Sequence, residues 1–485
     1  MPPSRWISGR YPEPGASAIG DAIRQRRGDR GLTPLDGALL HVPPVAEGWN
    51  SLLGAIRTKG KLRGDMRELM ILRVAACNRA AYEWIHHEHV ARSEGLTIPQ
   101  LRAIRDISTE PAAGVFSPLQ AAALKFAHAS TQDIVVPPEV ASALKAALAD
   151  EEEMSQDLFV ESAAVVSTYN MVSRFLVSVD VSGASEDPVP WPYERREHRV
   201  PIAGLEERFI HAITLIVDPA APWIAFANSL LTDLTMWDRV TPYLTAPVEG
   251  APHGYNVLLH SARGHGQTAI TPGRLTIPQL ARDIDTILTY LNIPRVHSVI
   301  GVSQGGAAAL SFGVQFPHRT GTVVACDTGP CTPKGNRTAW AERIAIAKKD
   351  GMSALADITL PRWFPPGSPC APHTGTRKAR AAWLSDMIRT TTIPGFVLGA
   401  SALMDYDLFE ASEENGGKGL LDISVPALLI AGSLDGGGKV AASMEALSEK
   451  LGSKARLATI PDAGHLPMVD QTERFWEALR PFLGS

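Results

Sequence analysis

The sequence predicts a multi-domain protein, with an all-α N-terminal domain followed by an α/β domain whose mostly parallel sheet is covered on both faces and carries an inserted helical cap. Three observations carry this prediction. The chain has 485 residues, too many for one ordinary core at about 100–200 residues per domain. Over the first 180 positions apolar residues recur at helical spacing, with no alternating strand pattern. Beyond Leu205, short β-rich runs alternate with helical ones, as in strands joined by crossover helices.

In the first part, Leu69, Leu72 and Ala76, then Trp84, His87, Val90 and Ala91, line helix faces between Asp65 and Gly95, where the glycine stops the run. Further helices are expected at Pro118 to Ser130, Pro138 to Ala149 and Met154 to Val179, so residues 1–181 form the helical domain. Residues 182–204, rich in Pro, Gly and charge, read as a linker. The α/β domain then spans 205–485, with strands expected at His211 to Val217, Trp223 to Ala227, Asn256 to His260, Val296 to Gly301, Thr322 to Cys326, Ala427 to Ala431 and Arg456 to Ile460. Residues 327–420 interrupt this alternation with Trp340, Trp363, Pro365, Pro366 and Pro369, and are expected to form the cap.

A composition of 45% hydrophobic and 20% charged residues is that of a globular protein, and a net charge of −5 argues against nucleic acid or an anionic membrane as partner. No apolar leader core follows Met1 and no run reaches about 18 apolar residues, so a cytoplasmic location is expected. The C-terminal Leu483-Gly484-Ser485 matches no peroxisomal or retention tripeptide. Cys77, Cys326, Cys331 and Cys370 form no C-x-x-C pair and have no histidine at zinc-site spacing. Free thiols are therefore expected, with no structural zinc and no cofactor.

The chemistry begins at Gly301-Val302-Ser303-Gln304-Gly305-Gly306, which follows the apolar run from Val296 and precedes a helical Ala-Ala-Ala-Leu run. A strand-to-helix turn this tight needs small residues around the serine and exposes its Oγ above the sheet, with a helix N-terminus behind it. Ser303 is thus the candidate nucleophile. His465, in Pro461-Asp462-Ala463-Gly464-His465, comes after the last expected strand and is the candidate base. Asp435, in Gly432-Ser433-Leu434-Asp435, is the expected acid, with Asp327 as competitor. The order serine, acid, histidine is that of the α/β-hydrolase fold. The ordinary readings are a turn serine, a loop histidine and a turn aspartate. The backbone N–H groups of Leu230 and Gln304 are the expected oxyanion hole.

Asn228-Ser229-Leu230, Met236-Trp237-Asp238, Arg263-Gly264-His265-Gly266, the elbow and Ala463-Gly464-His465 resemble the 3-oxoadipate enol-lactonases over nearly all of residues 205–485. The elbow reads Ser-Gln-Gly where the resemblance implies Ser-Met-Gly, and the cap diverges. The resemblance implies an α/β-hydrolase fold with a helical cap, acting through an acyl-enzyme on Ser303 on a small enol-lactone that carries a carboxylate. Arg337, Trp340 and Arg343 are conceivable cap contacts that the sequence leaves unassigned.

The helical half, through Arg67-Glu68-Leu69, then Cys77-Asn78-Arg79-Ala80-Ala81-Tyr82-Glu83-Trp84 and His87, resembles the carboxymuconolactone decarboxylase/AhpD-like family. Redox members of that wider family carry C-x-x-C on this helix. Here the two positions fall on Ala80 and Glu83, so no thiolate pair exists to cycle. Glu83 and His87 are four residues apart and share a helix face on which they can hydrogen-bond. Loss of CO₂ from a carboxylactone leaves a dienolate that must be protonated on carbon. His87, tuned by Glu83 or Glu68, is the candidate acid. The ordinary reading is an i,i+4 pair that only stabilises a helix. A metal is disfavoured because His86, His87 and His89 do not share a face. The resemblance also implies sites completed between subunits, hence a homo-oligomer assembled through the helical domain.

Together the halves suggest a bifunctional enzyme that decarboxylates a carboxymuconolactone and hydrolyses the resulting enol-lactone to 3-oxoadipate, two steps of the β-ketoadipate route. One alternative is a serine esterase or lactonase of secondary metabolism or detoxification, whose helical domain only oligomerises. The other is a ligand-binding receptor on a hydrolase fold.

Overall fold

The computed structural model describes residues 6–151, 155–333 and 335–484, and the chain divides after Pro192 into two compact units. In the first, the described residues form helices and no strand: α1 (Ala18–Arg27), α2 (Pro34–Leu39), α3 (Pro43–Gly54), α4 (Gly64–Cys77), α5 (Ala81–Ser93), α6 (Ile98–Arg105), α7 (Pro118–Gln132), α8 (Pro138–Glu151) and α9 (Ser155–Ser178). Met154, where the last of these is expected to begin, lies outside the described residues. The starts of α2, α6 and α7 are fixed by capping boxes, in which Thr33, Thr97 and Ser117 each accept from the backbone N–H three residues on. Helix α4 is the centre of the unit. Leu69, Met70, Ile71, Leu72, Val74 and Ala75 are completely buried, because α5, α7 and α9 pack around it. Between α3 and α4 the chain makes one π-type turn, Ala55–Lys59.

The second unit is built on eight strands: β1 (Glu194–Ile202), β2 (Leu205–Ile216), β3 (Trp223–Ala227), β4 (Asn256–His260), β5 (Val296–Val302), β6 (Thr320–Cys326), β7 (Ala427–Gly432) and β8 (Ala455–Ile460). Their order in the sheet is β1-β2-β4-β3-β5-β6-β7-β8. Pairing is antiparallel for β1/β2 and β2/β4 and parallel for the rest. Every residue of β4 and β7 is buried, as expected for strands covered on both faces. The segment read as a linker is corrected here: Glu194–Ile202 is an edge strand whose register with β2 runs from Glu194–Ile216 to Pro201–Phe209. Its outer residues, Arg195, Arg196 and Glu197, are exposed and charged, which suits an edge but hides the strand in the sequence.

The second unit continues the helix series with α10 (Thr241–Thr245), α11 (Ile277–Tyr290) and α12 (Gln304–Gln315) around the sheet, then α13 (Asn336–Trp363), α14 (Lys378–Thr390) and α15 (Ile393–Ser401) in the insertion between β6 and β7, and α16 (Lys439–Leu451), α17 (Pro467–Asp470) and α18 (Thr472–Leu483). The expected helical insertion is present. Helix α13 is not straight: Gly351 has φ +85°, a conformation open to glycine, and breaks it into two legs. Among the described residues no helix is long and apolar enough to cross a membrane.

Candidate active sites

Strand β5 delivers Ser303 into a turn with φ 56° and ψ −117°, and α12 starts at the next residue. This is strained backbone for a non-glycine residue. The turn closes only because its flanks lack side chains. A Cβ on Gly301 would lie 2.0 Å from the Gly305 carbonyl oxygen, and one on Gly305 would lie 2.2 Å from that of Ala227. The Ser303 N–H donates to the Cys326 carbonyl of β6 at 2.8 Å, pinning the turn to the sheet. Gln304, the residue that departs from Ser-Met-Gly, is buried and donates its side-chain amide to the Gly399 carbonyl of α15 at 2.7 Å. The elbow is thereby tied to the cap.

His465 follows β8, and its Nδ1 is 2.7 Å from Asp435 Oδ2 in the loop after β7. The carboxylate can only accept, so this bond assigns the ring proton to Nδ1. The backbone N–H of His465 donates to Trp363 O at 2.8 Å, and the Trp363 ring stacks on the imidazole with centroids 5.8 Å apart. Asp327, the competitor, is fully buried at the end of β6. It accepts from the Gly432 N–H at 2.8 Å and makes no bond to His465. Burial, then the charge of neighbouring Asp435, push its carboxyl well above the usual range, so it holds a proton. No hydrogen bond joins Ser303 Oγ to His465; contacts of this kind are commonly long before substrate arrives.

The loop after β3 places Leu230 beside the elbow. Leu231 sits at φ 71° and donates its N–H to His265 Nε2 at 3.1 Å, which fixes the loop. The Leu230 and Gln304 N–H groups are committed to no other described acceptor. Ser303, His465, Asp435 and Leu230 all line one cavity of about 520 Å³, with Asp327 and Trp363. This arrangement can perform acyl transfer: a hydroxyl at a helix N-terminus, an oriented imidazole and free N–H donors around one space. Of the cap residues singled out in the sequence, Trp340 and Arg343 line the cavity, whereas exposed Arg337 pairs with Asp405 at 2.9 Å.

In the helical unit His87, Glu68 and Glu83 converge. His87 Nδ1 is 2.7 Å from Glu68 Oε2. Its Nε2 is 3.3 Å from Tyr169 Oη of α9 and 3.4 Å from Arg57 Nη2 in the π-type turn, while Arg57 Nε donates to Tyr169 Oη at 2.6 Å. The expected Glu83–His87 bond is therefore not formed. Both ring nitrogens are engaged by other helices, and the two Glu83 oxygens are buried without a partner. Burial pushes Glu83 well above the usual carboxylate range, against the charge of Arg57, so it is protonated. For Glu68 burial acts upward, but the hydrogen bond and charge of His87 and the charge of Arg67 hold it below its ordinary value. Burial lowers His87, opposed by Glu68. A cavity of about 450 Å³ in this unit, lined by Arg73, Glu110, Lys125 and His128, includes none of Glu68, Glu83 and His87. All four cysteines are free thiols. Among the described residues no group of three or more His, Cys, Asp or Glu is placed to hold a metal ion.

The sequence model described as "Alpha/beta hydrolase family" matches residues 209–478, more than half of the chain. The chain belongs to this family. In the first unit, residues 43–129 match the carboxymuconolactone decarboxylase family, so the protein carries a domain of each kind. A similar curated protein is 3-oxoadipate enol-lactonase 2 of Acinetobacter baylyi, 27% identical over 258 residues, which are 53% of this chain and 87% of that protein. The crystal structure of the enol-lactonase from Burkholderia xenovorans has a TM-score of 0.50 and 28% identity, covering 59% of this chain and all of that one. The alpha/beta hydrolase is thus enol-lactonase-like in sequence and fold. Sequence reasoning missed four residues of these sites: Arg57 and Tyr169 beside His87, Arg362 in the lining of the hydrolase cavity and, as a partner of His465, Trp363. Arg57 carried one usable signal, since it precedes Thr58-Lys59-Gly60 at the end of an apolar helix and has no carboxylate at i±3 or i±4.

Proposed function

We propose that the protein is a bifunctional lyase and hydrolase that converts a carboxymuconolactone through 3-oxoadipate enol-lactone to 3-oxoadipate. The observation that carries the hydrolytic half is the Asp435–His465 bond of 2.7 Å facing the same cavity as the elbow serine. In this reading His465 Nε2 takes the Ser303 hydroxyl proton as Oγ attacks the lactone carbonyl. The Leu230 and Gln304 N–H groups receive the oxyanion. The ring C–O bond breaks, and the enolate oxygen leaves with the proton from His465 and tautomerises to the ketone. Water, deprotonated by the same imidazole, then releases the carboxylate from Ser303.

The lyase half rests on the buried His87 cluster. Cleavage of the C–CO₂ bond leaves its electron pair in a dienolate. His87, protonated from solvent at Nε2 and stabilised at Nδ1 by Glu68, delivers that proton to carbon. Arg57 and Tyr169, the two donors at His87 Nε2, are placed for the dienolate oxygen. The product is the substrate of the hydrolase half, and one chain keeps the two sites at high effective concentration.

The test is to give carboxymuconolactone to wild type, Ser303→Ala and His87→Ala, following CO₂ and 3-oxoadipate separately. Ser303→Ala is expected to release CO₂ and accumulate enol-lactone, and His87→Ala to release none. If no variant, wild type included, releases CO₂ while other lactones are opened, the helical domain is a scaffold and the pathway assignment falls.

A further inference from the structure

The helical unit holds a cavity of about 450 Å³ that neither proposed site uses, and the buried arginine in its wall is only partly satisfied. Arg73 of α4 is 5% exposed. Its Nη1 donates to the carbonyls of Ala103, Ile104 and Asp106 at 3.4, 2.9 and 2.7 Å, which closes the C-terminus of α6. A helix end supplies about half a negative charge, so part of the guanidinium charge is left over. Nε is buried without an acceptor, and Nη2 has none among the described residues. These two nitrogens form one edge of the planar fork, the spacing of which matches the two oxygens of a carboxylate. A buried charged donor left unpaired costs free energy that a ligand oxygen recovers.

The acids nearby do not fill this role. Asp106 and Glu110 act on Arg73 only through space. The Asp106 carboxylate accepts from the Ser108 and Thr109 hydroxyls at 2.6 and 2.5 Å, and exposed Glu110 meets exposed Lys125 at 3.8 Å. A second donor stands on the same wall. Cys77 lies one turn along α4 from Arg73, and its Sγ is 3.5 Å from His128 Nδ1. Gln132 donates to that sulfur, so the thiol proton is free for Nδ1 and the His128 ring proton sits on Nε2, which has no partner among the described residues. Burial, then the charge of Arg73, keep this ring neutral. Phe116, Leu124 and Val140 make the remaining wall apolar. The volume lies within the range of about 300–1,000 Å³ common to small-molecule sites.

This cavity is not an arm of the His87 cluster. Glu68 and Arg73 are five residues apart on α4, about 140° around its axis. Glu68 meets His87 of α5, whereas the side of Arg73 and Cys77 meets α6 and α7.

We propose that this cavity is a separate ligand site for a small carboxylate on an apolar ring, with the carboxylate on Arg73 Nε and Nη2 beside His128 Nε2, and the ring against Phe116, Leu124 and Val140. Binding is reversible, because burial raises the Cys77 thiol and leaves it a poor nucleophile. The site does not depend on either reaction proposed above.

The experiment follows amide hydrogen exchange of the full chain with benzoate and 1-naphthoate, against benzamide and 1-naphthamide. The carboxylates are expected to slow exchange in residues 107–116 and in α7, at concentrations about tenfold lower than the amides require, the worth of a charged hydrogen bond. Lys125→Glu, an exposed charge reversal at the cavity, should raise the concentration needed by about threefold. Ala121→Trp, which puts an indole into the cavity without touching the α6 cap, should abolish the protection. Arg73→Gln should do the same, and where loss of the cap unfolds α6 the other two variants decide. Protection of neither segment, equal protection by the amides, or protection that survives Ala121→Trp overturns the site. Protection confined to α5 and α9 also overturns it, by placing the carboxylate at His87 instead.

Discussion

Replacing Asp435 by asparagine keeps the shape of the loop after β7 and removes the charge that His465 Nδ1 meets at 2.7 Å. An asparagine amide can turn its NH₂ toward Nδ1 and so stabilise the wrong tautomer, with the proton on Nε2, the atom that takes the Ser303 proton in the proposed mechanism. In triads of this type the exchange lowers kcat by about 10⁴, or about 5.5 kcal/mol of transition-state stabilisation. A smaller loss, about 10³, is expected here because a second carboxyl stands by. Asp327 is protonated through burial and through the charge of Asp435. Once that charge is gone Asp327 ionises more readily and supplies part of the field at the imidazole. The double variant Asp327→Asn/Asp435→Asn should therefore fall the further factor of about ten, while Asp327→Asn alone keeps the Asp435–His465 bond and most of the rate. The assay is kcat/KM for 4-nitrophenyl butyrate at neutral pH. An Asp435→Asn variant within tenfold of wild type would refute the assignment of Asp435, and a double variant equal to the single would refute the reserve role of Asp327.

Gly305→Ala sets a Cβ 2.2 Å from the Ala227 carbonyl oxygen, backbone that cannot retreat without breaking β3. Thermal unfolding should show a loss of more than about 3 kcal/mol in the hydrolase domain, and an unchanged melting temperature would mean the elbow is not built as described. Glu83→Gln tests the buried acid. With its folded-state pKa raised, wild type is unpenalised below the unfolded carboxylate value, and above it loses about 1.4 kcal/mol per pH unit until the folded group ionises. The variant's advantage in melting temperature should therefore grow from pH 5 to pH 8; a pH-independent difference would show that Glu83 is charged in the fold.

The sheet was legible where burial is uniform. The all-buried runs Asn256–His260 and Ala427–Ala431 read as strands because their interiors are unbroken apolar residues. Strand β1 was not, since its only deeply buried residues, Val200 and Ile202, come at its end. Ser303 was legible for a local reason: strand, small residue, serine, small residue and helix lie within one contiguous stretch, and the clashes at Gly301 and Gly305 enforce it. Tyr169 and Arg57 were not, because they meet His87 across 82 and 30 residues of sequence. Spacing also misled at Glu83, where i,i+4 separation permits a bond to His87 and tertiary packing assigns the ring nitrogens elsewhere.

The two candidate sites share an electrostatic plan despite unrelated folds. Each has a histidine whose Nδ1 meets a carboxylate oxygen at 2.7 Å, Glu68 for His87 and Asp435 for His465. Each also has a second buried carboxyl, Glu83 or Asp327, that burial keeps protonated. In each pair burial acts first to raise the carboxyl that lacks the imidazole, with the charge of its neighbour acting in the same direction. What differs is the far side of the ring. His465 lines an open cavity beside Ser303 and can accept a proton at Nε2 at once. His87 Nε2 is enclosed by Tyr169 and Arg57, both hydrogen-bond donors. With its Nδ1 on Glu68 and two donors at Nε2, His87 rests with Nε2 as an acceptor, the opposite of an open face.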